Sequence, residues 1–202
     1  MALSPADIKA KIAESKAPKT RKKPWVAPTV DDIAYGSVLA FDQTLSNTGV
    51  AWVVHDHDGL RAIECTNLVQ STTHKGHEGS IRKGEMLHHH LFWDMKDSIA
   101  GLNADVFVYE QPPVQGYRIE SSLLAAMMVR LVWPHAVPIS NQHAKSIFIP
   151  PGSTGGKGDV KKAVEALIPN WQRTGPWNQH IHDAVLLGLT YLHDVKKEMD
   201  RV

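Results

Sequence analysis

Asp42, Glu110 and Asp183 are acidic residues whose settings call for a chemical explanation. Asp42 closes the apolar run Ser37-Val-Leu-Ala-Phe-Asp42, and Glu110 closes Asp105-Val-Phe-Val-Tyr-Glu110, just ahead of Pro112 and Pro113. A carboxylate at the end of a buried strand is costly unless it is paired or binds a cation. Asp183 lies near the start of the last apolar-periodic segment, with His180 one helical turn earlier on the same face. If the two strands are neighbours and the final helix packs across them, all four side chains converge. Repulsion in such a site raises carboxylate pKa values unless a divalent cation neutralises it. Hard oxygen donors favour Mg²⁺ or Mn²⁺, with phosphate oxygens completing the shell. Singly, Asp42 also suits a turn and Asp183 a helix's first turn; the conjunction carries the expectation.

The elements that must position these residues follow from periodicity. Ser37–Asp42, Val50–Val54 and a run around Arg61–Val69 read as three strands joined by short polar turns, an antiparallel meander. Thr72–Gly79 reads as a loop, and Ile81–Ala100 has helical spacing through Met86, Leu87, Phe92 or Trp93, and Ile99. Asp105–Glu110 is a fourth strand, ended by two prolines. Glu120–Val132 is apolar nearly all round, so that helix is buried or lies in an interface. Ala136–Ile139 is a short fifth strand. Helices are expected at Asn141–Phe148, Asp159–Ile168 and about Gln179–Met199, separated by loops at Pro150–Gly158 and Pro169–Trp177. Three strands followed by alternating helices and strands make an α/β chain with one mixed sheet.

Other motifs carry less. His88-His89-His90 offers metal ligands, but consecutive helical residues point about 100° apart and are not expected to chelate together. His180-Ile-His182-Asp183 lacks the further spaced histidines of a zinc hydrolase. Gly152-Ser-Thr-Gly-Gly-Lys157-Gly lacks the four-residue gap and the Ser or Thr after Lys of a nucleotide-binding loop, so no nucleotide cofactor is expected. Its amides and Lys157 remain suited to a nucleic-acid phosphate.

Taken in order, three stretches resemble the RuvC family of Holliday-junction resolvases. Asp42-Gln-Thr-Leu-Ser-Asn-Thr48-Gly49 is similar to a strand-terminal Asp followed by a turn and Thr-Gly; Val106-Phe-Val-Tyr-Glu110-Gln111 to a strand ending in Glu-Gln; His180-Ile-His-Asp183-Ala184 to an Asp or His followed by Asp-Ala on the last helix. The resemblance spans roughly residues 37–195. It implies an RNase H-like fold, a mixed five-stranded sheet flanked by helices. It also implies a structure-selective endonuclease that hydrolyses phosphodiesters with two Mg²⁺ (or Mn²⁺) ions and leaves 5′-phosphate and 3′-hydroxyl ends. Asp42 would bridge both ions, Glu110 and Asp183 would each complete one site, and His180 would ligate metal or position water. Lys157 and Lys145 would offset charge on the scissile phosphate. Lys145, Lys157, Lys161, Tyr117, Arg118 and the tail residues Arg21, Lys22 and Lys23 would contact branched DNA, and paired symmetric cuts imply a homodimer. Many relatives carry Asp at the position of His180, and an aromatic wedge where this chain has Pro112-Pro113, the nearest aromatic being Tyr117. The long apolar helix is expected to be core or, alternatively, a dimer seam in which Ala125 and Ala126 permit close approach.

The 202 residues, 43% of them hydrophobic, suffice for one substantial core. Net charge is +1, but residues 1–30 hold seven of the 22 basic residues and two of the 21 acidic ones, so they carry +5 and the remainder −4. A basic arm, residues 1–35, ahead of an acidic nuclease domain, residues 36–202, fits a protein whose site concentrates carboxylates and whose arm touches phosphates; a solvated leader without function is the alternative. Cys65 is the only cysteine, which excludes an intrachain disulfide and a cysteine-based zinc site. No apolar run approaches the ~20 residues that span a bilayer, and Met-Ala-Leu-Ser-Pro-Ala-Asp has no signal-peptide core. An intracellular, cytoplasmic protein without membrane partners is expected, including one encoded by a phage and acting in its host. Rival functions are a related nuclease acting on forks, flaps or phage replication intermediates, and a catalytically silent DNA-binding protein on the same fold.

Overall fold

The computed structural model describes residues 24–95, 104–113, 119–169 and 177–202. Among them a single sheet of five strands runs in the order β3-β2-β1-β4-β5: β1 Gly36–Gln43, β2 Asn47–Asp56, β3 Gly59–Val69, β4 Val106–Glu110 and β5 Val137–Ile139. β1, β2 and β3 form the antiparallel meander; β4 pairs parallel to β1, and β5 parallel to β4. Both faces of the sheet are covered. Helices α3 (Asn141–Phe148), α4 (Lys157–Leu167) and α5 (Gln179–Met199) pack on one face; α1 (Gly76–His89), a π-helical turn (His90–Met95) and α2 (Ile119–Val132) pack on the other. This is the mixed five-stranded sheet flanked by helices that the sequence leads one to expect. No helix among the described residues is long and apolar enough to cross a membrane.

Strand alternation divides the core. Val38 and Ala40 of β1 join Ala51, Val53, Val108 and the buried side of α5, whereas Leu39 and Phe41 join Leu87, Leu91, Ala125 and Val129. Gly188 lets α5 lie directly on the sheet, because a Cβ there would stand 2.7 Å from the Val53 side chain. Two polar clamps fix the β1/β4 register. Asp105 Oδ2 accepts from the Ser37 amide (2.8 Å) and hydroxyl (2.9 Å) at one end. At the other, the Gln43 side-chain amide donates to the Glu110 carbonyl (2.6 Å) and accepts from the Glu110 N–H (3.0 Å).

Four expectations need correction. First, α1 begins at Gly76, so the loop ends at Lys75 rather than Gly79. Its opening turns are polar and exposed, and the only buried residues of α1 are Gly79, Gly84 and Leu87, which leaves apolar periodicity nothing to register there. Second, Lys157 is the first residue of α4, not part of the loop before it. Third, Ala125 and Ala126 face the sheet and are 0% and 5% exposed, so they cannot form a seam. The outward residues of α2 are Leu123, Met127 and Leu131, at 47%, 56% and 60% exposure. Fourth, packing starts ahead of residue 36: Ile33 and Ala34 are buried and the Ala34 N–H donates to the Leu192 carbonyl (3.1 Å). Tyr117, Arg118, Arg21, Lys22 and Lys23 lie outside the described residues.

Candidate metal centre and phosphate cleft

Asp42 keeps the parity of Val38 and Ala40, and Glu110 that of Val108, so both side chains point to the face covered by α5. Phe41 pairs with Tyr109 across the parallel strands, which puts Asp42 and Glu110 on the next rung, side by side at the carboxyl ends of β1 and β4. α5 starts against them. Asn178 caps it by accepting from the Ile181 N–H (3.0 Å), and His180 and Asp183 project from its first turns. Asp42, 5% exposed, accepts a 2.7 Å hydrogen bond at Oδ2 from His180 Nδ1.

Gly49 makes this approach possible. It sits on β2 opposite Asp42, and a Cβ on it would lie 2.1 Å from the His180 carbonyl oxygen and 2.2 Å from the carbonyl carbon. Only a residue without a side chain allows the first turn of α5 to close over β2. The Thr48-Gly49 pair is therefore a packing requirement of the site.

The electrostatics are those of an anionic cluster in need of counter-charge. Burial first, and then the neighbouring Asp42, push the Glu110 carboxyl up to about 7. Burial likewise raises Asp183, against the hydrogen bond it accepts from Gln179 Nε2 (2.6 Å). His180 is raised in turn, chiefly by its hydrogen bond to Asp42. Three carboxylates and one imidazole with this charge fit a hard divalent ion. The quartet is an open arrangement: among the described residues, the three donors gathered within 4.8 Å belong to a different cluster. Glu110 and Asp42 nevertheless share a side-chain hydrogen bond, and the proton it requires is one that a bound cation would displace.

Basic groups border the cluster. The charge of Lys145 on α3 acts on Asp183, and that of Lys157, at the start of α4, acts on His180. The loop between them passes close to the Lys145 stem: Gly155 is in the left-handed conformation (φ 61°), and a Cβ on it would lie 3.7 Å from the Lys145 Cδ. Lys161 is exposed one turn further along α4. Asn141 was not expected to belong to the site; its side-chain amide donates to Glu110 Oε1 (2.9 Å) from the first turn of α3. Gln43 and Gln179, which contact Glu110 and Asp183, likewise belong to it. Sequence offers only their positions, next to or one turn from an acidic residue.

On the far side of His180 opens a cleft of about 660 Å³ that no sequence motif announces. Its lining includes Lys75, Lys83, His74 and the hydroxyls of Ser46, Ser80, Ser121 and Ser122, with no carboxylate among the described lining residues, although His74 is paired with Glu78. Lys83 Nζ donates to Ser46 Oγ (2.8 Å), which holds the ammonium over the β1–β2 turn. A basic, hydroxyl-rich trough continuous with a carboxylate cluster suits a phosphodiester backbone running past a metal centre.

No protein-family model matches the sequence, and no curated protein matches it. Solved structures do resemble it. RuvC of T. thermophilus in complex with a Holliday junction substrate superposes with a TM-score of 0.60 at 12% identity, over 81% of this chain and 96% of that one. T. thermophilus RuvC on its own gives 0.60 at 13% identity, over 80% and 96%. The yeast mitochondrial Holliday junction resolvase Ydc2 gives 0.54 at 13% identity, over 85% of both chains. The chain therefore has the RNase H-like fold of RuvC-type resolvases.

Proposed function

We propose that the protein is a metal-dependent, structure-selective DNA endonuclease that resolves four-way junctions. The observation that carries this reading is the meeting of Asp42, Glu110, His180 and Asp183 at the carboxyl ends of β1 and β4, on the fold shared with junction resolvases. Asp42, Glu110, Asp183 and, through its second ring nitrogen, His180 would hold two Mg²⁺ or Mn²⁺ ions. When bound, these supply Lewis-acid activation of water and stabilisation of the leaving oxygen. The chain's own residues do the positioning. Asn141 fixes one oxygen of Glu110, Gln43 locks the backbone on which Glu110 sits, and His180 orients Asp42. Lys157 and Lys145 offset charge that builds on the phosphate as water adds and the bond from phosphorus to the 3′-oxygen breaks. The products are a 5′-phosphate and a 3′-hydroxyl. A silent DNA-binding protein would gain nothing from three carboxylates facing phosphate.

The test is nicking of a labelled four-way junction beside linear duplex, forks and flaps, with Mg²⁺ or Mn²⁺. Paired symmetric cuts in the junction alone establish a resolvase. Cuts spread over forks and flaps leave the metal centre but change the substrate, and the absence of metal-dependent cutting refutes nuclease activity.

The cleft gives a separate expectation. Replacing Lys75 and Lys83 together with Gln removes two phosphate contacts. The slope of log affinity against log salt should shrink by roughly one to two, at about 0.9 per duplex contact. Turnover at saturating DNA should change little, and an unchanged slope would show that the backbone runs elsewhere.

Two symmetric cuts require two sites, which a two-fold homodimer supplies. The apolar strip of Ile81, Trp93, Leu123, Met127 and Leu131 on α1, the π-turn and α2, exposed among the described residues, is the surface proposed for it. Met127→Glu with Leu131→Glu should give a monomer in sedimentation that nicks one strand without pairing the cuts; a dimer that persists places the interface elsewhere.

A further inference from the structure

His88-His89-His90 was not expected to chelate, because in an α-helix neighbouring residues diverge by about 100° and residues five apart by about 140°. The helix does not remain an α-helix there. α1 ends at His89 and continues as a π-helical turn over His90–Met95. In a π-turn the hydrogen bonding runs from residue i to i+5, so residues four and five apart both become neighbours, and such turns are rare and frequent at functional sites. Asp94 is five residues from His89 and four from His90. One donor atom from each of the three lies within 4.8 Å of the others. His90 Nδ1 already stands 2.6 Å from Asp94 Oδ2, and the rings of His89 and His90 meet edge to face at a centroid distance of 6.2 Å.

We propose that His89, His90 and Asp94 form a second, separate metal site that takes a borderline-soft divalent ion of the Zn²⁺ class. Two imidazoles and one carboxylate suit Zn²⁺, Ni²⁺ or Cu²⁺ rather than Mg²⁺, in contrast to the oxygen-rich centre beside Asp42. Tetrahedral zinc needs ligand atoms about 3.3 Å apart, given metal–ligand bonds of about 2.0–2.1 Å. His90 Nδ1 and Asp94 Oδ2, hydrogen-bonded at 2.6 Å, would part slightly as the ion replaces the proton between them, which is released to solvent, and His89, an exposed residue, can swing in by rotation about its side-chain bonds. Three protein donors leave a position for water or an outside ligand. The ion would fasten the π-turn, whose buried residues are Leu91 and Met95. The site lies on the side of the sheet opposite α5, so its occupancy does not depend on the metal centre beside Asp42, although His89 shares a groove with Ile81, Trp93 and Leu131 of the proposed dimer surface.

The experiment is calorimetric titration of Zn²⁺ into the full-length protein with excess Mg²⁺ present. One saturable site is expected. His90→Ala and Asp94→Asn should each weaken it by about tenfold or more, a loss at least as large as that from removing an outer-shell partner. X-ray absorption on the zinc-loaded wild type should show two imidazole nitrogens, a measurement that needs no variant to fold. No saturable site, affinity unchanged in both variants, or a coordination shell without two imidazoles overturns the proposal.

Discussion

Asp42→Asn should reduce junction cleavage by about 10³-fold or more while junction affinity stays equal or rises. The substitution removes the carboxylate that sits between Glu110 and His180, and with it a ligand that the proposed chemistry cannot replace. It also removes one negative charge facing phosphate, which is why binding should not suffer. A thermal readout separates this from damage to the fold. Asp42 pushes up both Glu110 and Asp183, so the variant relieves repulsion and its midpoint without metal should be no lower than that of the wild type. The rise in midpoint on adding Mn²⁺, a consequence of binding to the native state only, should shrink. Loss of DNA binding together with cleavage would count against the assignment.

Gly49→Ala should disable the site without touching any candidate ligand. The new Cβ would fall 2.1 Å from the His180 carbonyl oxygen, and backbone cannot yield as a flexible side-chain end can. Relief requires the first turn of α5 to lift, carrying His180 and Asp183 away from Asp42. Displacement of about 1 Å is enough to cost about 10²-fold in rate, and the overpacking itself should destabilise by about 1–3 kcal/mol. Gly188→Ala is the control. Its Cβ would meet the Val53 side chain at 2.7 Å, further along α5 and away from the metal centre. It should cost comparable stability with near-normal cleavage per folded molecule. If Gly49→Ala retains wild-type cleavage, the close approach of α5 to β2 is not what positions the ligands.

Much of this molecule is legible in local sequence. The apolar runs that end in Asp42 and Glu110, and the prolines that stop the second, mark two strands whose last residues are carboxylates. Period-two alternation then forces each carboxylate onto one defined face. The apolar-periodic stretch from about Gln179 marks the start of α5 and hence the turn that carries His180 and Asp183. These signals are carried by residues adjacent in the chain, where sterics and burial act at short range.

Long-range packing decided what local pattern could not. Whether α5 can reach Asp42 depends on the absence of a side chain at Gly49, a contact across 131 positions of sequence from His180. α2 is apolar on both sides, so only its neighbours determine that Ala125 and Ala126 face the sheet and that Leu123, Met127 and Leu131 face out. The opening turns of α1 are polar because one side of them forms the cleft of Lys75 and Lys83; a helix that buries so little there gives no hydrophobic period to read. The π-turn after His89 brings together three donors that α-helical geometry would separate. In each case the deciding term is which surfaces meet, and that is set by tertiary contact and not by the identity of the neighbours in the chain.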